Sequence, residues 1–201
     1  MKKYELTDDT IEFKDHTLYR IKAVRDFADV KAGDLGGYIE KESNLSHEGD
    51  AWIYDNAKVF GNAQVYGRAE VCDTAWVFDN AQVYDSAKVR DYSWVFGNAQ
   101  IYGSAHVNDN TLVYNNAHVY HHAWIGDNAM VFGNAKVYGI ASVYNSAHIF
   151  GNAHAYGDAC VCDNSQVYGY AEVCGDAWVR GNARVYGDAC VNKDVCSITV
   201  Y

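Results

Sequence analysis

Along most of this chain, apolar residues come in pairs two positions apart, and the pair recurs every six residues. From Gly49 to Asn192 there are 24 such hexads without an insertion, as in "GDAWIY", "GNAQVY" and "GNARVY". Each has a turn pair rich in Gly, Asp and Asn, then Ala, a variable residue, Val or Ile, and often an aromatic. The Ala position is Ala in 21 of 24 hexads, with Ser93, Thr111 and Ser165 as exceptions, and the aliphatic position fails only at Ala155. Residues two apart share one side of a strand. The Ala and Val rows therefore face a narrow interior, and the variable residue faces out. The chain has no proline, so Gly, Asn and Asp must make the turns.

The full period is three hexads. The residue after Val is aromatic at all eight positions of one column, Phe60 through Tyr186, and Tyr at six positions of a second, Tyr66 through Tyr156. The third column is mixed: Tyr54, Cys72, Arg90, Asn108, Gly126. Three strands per coil would stack residues 18 apart directly. The pattern predicts an all-β, triangular, single-stranded parallel β-helix. About eight coils at ~4.8 Å per strand give a prism roughly 38 Å long.

The ends do not repeat. Residues 1–48 predict two short strands, "YELTDDTIEF" and "TLYRIKAV", in a hairpin around Lys14–His16, then a turn-rich link "AGDLGG". This segment is expected to cap the helix, since exposed strand edges need covering. Residues 193–201 form a short strand-like tail. It is too short to shield a coil, so the C-terminal end is expected to pair with a second copy.

These hexads resemble those of the left-handed parallel β-helix of hexapeptide-repeat acyltransferases. "GNAxVYG" and the lead-in "KAGDLGGYIEKESNLSHEGDAW" look like a group of uncharacterised bacterial and phage β-helix proteins, some named as acyltransferases. The resemblance covers residues 49–192. It implies left-handedness, an acyl-CoA donor and a His general base in a groove between subunits. One departure is the aromatic that stands where the usual hexapeptide has Gly. Triangular β-helices of the opposite hand also occur among polymer-forming cytoskeletal proteins.

Candidate chemistry lies on the outward rows. Trp76, Trp94, Leu112 and Met130 stack as an apolar stripe beside the all-aromatic corner, which predicts a subunit or partner interface unless residues 1–48 fold back over it. Val200 and Tyr201 extend the interface expectation to the C-terminal end. Gln64, Gln82 and Gln100 suit an amide ladder or a solvated face. Asp55, Asp73, Asp91, Asp109 and Asp127 would repel by about 1 kcal/mol per neighbouring pair. The expected offset is a backbone N–H accepted within each turn, and a cation rail at Asp73, Asp91, Asp109 and Asp127 is the sharper alternative. His118, His121, His122 and His154 are the general-base candidates, but no loop leaves the coils to build a groove around them.

The net charge is −10, shared between residues 1–48 (−3) and 49–192 (−7). No basic cluster stands out, so a membrane or direct nucleic-acid partner is not expected. The six cysteines lack paired spacings, and reduced thiols suit the cytoplasm. The combined expectation is a non-enzymatic structural or binding protein, phage-associated by resemblance, that needs no cofactor. It would form homo-oligomers and bind a host protein or small ligand. An acyl-CoA-dependent acyltransferase and an acidic nucleic-acid mimic are the alternatives.

Overall fold

The structure is a computed structural model and describes residues 2–201. It is a parallel β-solenoid of about nine coils of 18 residues. Nearly every hexad contributes a two-residue strand, the variable residue and the aliphatic one, as at Lys58–Val59 and Gln64–Val65. These strands form three stacked sheets of 12, 9 and 8 strands. Each residue pairs with its counterpart one coil later: Lys58 with Trp76, Trp76 with Trp94, Trp94 with Leu112.

The Ala and Val rows are buried throughout, including Ser93, Thr111, Ala155 and Ser165. Turns place their first residue in the left-handed region, Gly at Gly61 (φ 68°) and Asp at Asp73 (φ 59°). Gly and Asp tolerate that region best. Outside the core, both aromatic columns stack ring on ring. Phe60 and Phe78 lie 5.1 Å apart and 2° from parallel, Tyr84 and Tyr102 4.9 Å and 2°. Each offset pair contributes about 0.5–1.5 kcal/mol beyond its burial.

Residues 1–48 do more than cap. β1 (Tyr4–Phe13) and β2 (His16–Ala23) form the expected antiparallel hairpin. The "AGDLGG" link is not merely a turn. Its last residues begin β3 (Leu35–Ile39), which pairs antiparallel with β2 and parallel with Lys58–Val59. Parallel stacking therefore starts before the first hexad. Gly36 is needed there because a Cβ would stand 2.6 Å from the Ile53 carbonyl.

Hydrogen bonding explains how the N-terminal end is closed. Within the solenoid the N–H of a variable residue donates to the Ala carbonyl of the next coil, as Trp52 does to Ala69 at 3.0 Å. The Ala carbonyls of the first coil have no coil beneath them. Each receives a substitute donor. Lys3 Nζ donates to Ala51 O at 2.6 Å, Tyr38 N–H to Ala57 O at 2.9 Å, and Asn44 Nδ2 to Ala63 O at 2.9 Å. Lys3 and Asn44 are both fully buried. Trp52, expected on an outward face, is also buried because Tyr4 and Phe27 pack on it.

The C-terminal end is closed less completely. Val195–Cys196 and Thr199–Val200 each add a strand to one sheet. The third sheet ends at Cys190–Val191, and among the described residues nothing accepts the Cys190 N–H. Ile198 and Tyr201, on either side of Thr199–Val200, are exposed.

Candidate functional site

The apolar stripe is the most developed surface feature. Trp76 and Trp94 stack with ring centres 4.5 Å apart and planes within 9°, and Leu112 and Met130 continue the row. The hairpin tip does fold back, but over the beginning only. Phe13 packs at a steep angle on Trp76 with ring centres 4.5 Å apart, and Lys14 Nζ stands 5.1 Å from the Trp76 ring centre and 5.5 Å from that of Trp94. Beneath the tip, Leu18, Tyr38 and Phe60 form a small core outside the prism. Past Trp94 the stripe continues half-buried. Beside it opens a cleft of about 570 Å³ lined by Lys58, Thr74, Trp76, Tyr92, Trp94, Asn110 and Leu112. Val200 and Tyr201 lie apart from it. Val200 pairs with Val185 at the end of the same sheet, and Tyr201 stacks on Tyr186 with ring centres 6.1 Å apart.

The acidic column is held differently from expectation. Each carboxylate accepts an N–H from the next coil, not from its own turn. Asp73 Oδ2 accepts from Asp91 (3.2 Å), Asp91 Oδ2 from Asp109 (3.1 Å), and Asp109 Oδ2 from Asp127 (3.0 Å). Neighbouring turns stack directly, so an Asp side chain reaches the backbone of the next coil. Asp127 serves Asn145 in the same way. Among the described residues, no group of three or more His, Cys, Asp or Glu is placed to hold a metal ion. The adjoining Asn column forms a true amide ladder, Asn62 to Asn80 to Asn98 at 3.1 Å per step. The Gln column does not. Its carbonyls instead accept tyrosine hydroxyls, Tyr84 to Gln100 at 3.3 Å.

The four histidine candidates fall at two places. His118 and His154 stand on one sheet with Lys136 between them. Burial, with Lys136 adding to it, holds both imidazoles below the usual histidine range. His121 and His122 occupy a turn beside a hollow of about 310 Å³ formed with Gly139, Ile140, Gly157 and Asp158. Among the described residues, no carboxylate hydrogen-bonds to any of the four. The cysteines are all free, and burial pushes the Cys72 thiol up to about 12 and that of Cys162 to about 11. Thiols so shifted are poor nucleophiles.

Two groups escaped the sequence reading. Tyr92 stands 65% exposed at a turn and forms one wall of the tryptophan cleft; its signal was a bulky ring where the repeat has Asn, Ser or Asp. His47 stacks on Tyr4 at 4.3 Å, takes the Lys3 N–H on Nδ1 at 3.3 Å and turns Nε2 toward Glu42 at 3.8 Å. It lies in the non-repeating segment, where no column marks a departure. With Nδ1 accepting, its proton sits on Nε2, so the ring is set as a donor.

Repeat, register and coil together define a hexapeptide-repeat parallel β-solenoid. Over 84 residues, 37% of this chain, the sequence is 38% identical to a protein of Escherichia coli (strain K12) named "uncharacterized acetyltransferase YdcK". The matched part is 26% of that protein, so the chain spans about a quarter of the length of this curated relative. No family model matches the chain. No helix among the described residues is long and apolar enough to cross a membrane.

Proposed function

We propose that this chain is a non-catalytic binding β-solenoid that takes its ligand at the tryptophan cleft and self-associates through its C-terminal end. The cleft carries the reading. It combines two stacked indoles, an exposed phenol and Leu112 in a concavity of about 570 Å³ on a rigid scaffold, without an imidazole or carboxylate in its lining. Concave, mostly apolar sites with a few polar groups are what small-ligand sites consist of. Self-association is supported by the unpaired edge at Cys190–Val191 and the exposed Ile198 and Tyr201.

Native mass spectrometry of the chain purified from cells tests both parts. The expected result is a dimer or higher species carrying a small molecule that Trp94→Ala strips. A chain that stays monomeric at high concentration ends the self-association reading. An unchanged ligand load in Trp94→Ala ends the reading of the cleft.

Acetyl transfer is the second reading. The name of the Escherichia coli relative supports it, as does the His118–Lys136–His154 row with its two imidazoles held toward the neutral form. Acetyl-CoA binding by calorimetry, with turnover lost in His118→Ala or His154→Ala, would put this reading first.

A further inference from the structure

The tryptophan cleft continues across the neighbouring turn. Thr74 and Tyr92 also line a second hollow of about 390 Å³, whose remaining walls are Asp55, Asn56, Asp73 and Asp91. The two hollows form one band, with indoles and Leu112 on one side and carboxylates on the other. Tyr92 rises between them.

The polar groups of this band are incompletely used. Asp55, Asp73 and Asp91 each commit Oδ2 to the N–H of the next coil. Their Oδ1 atoms make no hydrogen bond or ion pair among the described residues. Three acceptors thus stand free in a row, about one coil rise (~4.8 Å) apart. Lys58 and Asn110 also line the cleft; the Lys58 ammonium gives one N–H to the Asn56 carbonyl at 3.1 Å, which leaves two more to donate.

This mixture selects a class of ligand. A cation drawn to the carboxylates would meet Lys58 in the cleft, with Lys14 already over both indole rings. An anion drawn to Lys58 would meet the aspartate row. A purely apolar ligand would strip water from the carboxylates with nothing in return, which is costly. A neutral ring with hydroxyls at its edge avoids all three penalties. Its C–H groups lie against the exposed Tyr92 ring and the half-buried Trp94, and its hydroxyls donate to Oδ1 and accept from Lys58 and Asn110.

We infer that this band is a binding site for a neutral saccharide. The inference rests on the binding reading above and names its ligand class. The lining spans several coils, and at ~4.8 Å per coil it has room for a short oligosaccharide rather than a single ring.

The test is tryptophan fluorescence and calorimetry against an array of uncharged oligosaccharides that includes cellohexaose, maltohexaose and chitohexaose. Hexalysine serves as a cationic probe. At least one saccharide is expected to shift the emission and bind, with affinity at least tenfold weaker in both Trp94→Ala and Tyr92→Ala. Tyr92 is exposed, so its variant keeps the fold if Trp94→Ala does not, and circular dichroism checks both. Absence of binding across the array, binding that survives both substitutions, or preference for hexalysine overturns the inference. Loss of the co-purifying ligand in Trp94→Ala, without saccharide binding, would leave the binding reading standing and remove only the saccharide.

Discussion

Lys3 offers a test of how the solenoid end is closed. Its ammonium is fully buried and donates to Ala51 O at 2.6 Å and Gly49 O at 3.3 Å. Burial, the largest influence, lowers its pKa from 10.5 to about 8. Below pH 8 both folded and unfolded chains hold the proton, and the folded state carries the full cost of burying the charge. Between pH 8 and 10.5 the unfolded chain holds more protons, so stability rises with pH. At 1.36 kcal/mol per pKa unit the full cost is about 3 kcal/mol, of which about 2 is relieved between pH 8 and 10. Above pH 10 the tyrosines begin to titrate and obscure the effect. The assay is urea unfolding at intervals over this range, for the parent chain and Lys3→Met, followed by tryptophan emission. Trp52 lies under the same hairpin and reports its loss. At neutral pH the substitution removes both the charge cost and two hydrogen bonds, so its net effect there is a difference of similar terms. The pH slope isolates the charge. From pH 8 to 10 the parent should gain about 2 kcal/mol relative to Lys3→Met, the same linkage relation applied to the parent alone. A constant difference between the two would refute the burial of a charged Lys3 beneath the cap.

Other substitutions probe the column logic. Ala155 is buried between Val137 and Val173, so Ala155→Val should stabilise by about 1 kcal/mol in thermal unfolding if a void exists there. A lowered midpoint would mean the site is already filled. Asp91→Asn keeps an acceptor for the Asp109 N–H and removes repulsion from both neighbouring carboxylates; Asn145 already stands in the same row without charge. The substitution should stabilise by about 1 kcal/mol at low ionic strength, less at about 1 M salt, where screening shortens to ~3 Å. A loss of stability would show that the charge itself is needed.

The rigid period made the fold readable. Ala and Val two apart dictate which side faces in, the Gly, Asp and Asn pairs dictate where the chain bends, and aromatics sorted into columns by every third hexad dictate three strands per coil. Because every outward residue then has a known neighbour one coil away, the stripe at Trp76 and Trp94 and the aspartate row could also be read directly. What the pattern could not supply were contacts between residues that share no period. Lys3, Tyr4 and Asn44 lie in a segment without repeats, so their use as donors to the first coil, and the burial of Trp52 beneath them, emerge only when the hairpin is docked. The aspartate bonds run between coils because the turns stack closely enough for a short side chain to span them, a distance that spacing does not contain. The union of the tryptophan cleft with the carboxylate row across Tyr92 likewise depends on how a single bulky turn residue stands in space. The sequence alone set the repeating scaffold through local alternation and turn chemistry. The tertiary structure decided the closed and open ends and the shape of the cleft, because those depend on long-range packing of the residues that break the repeat.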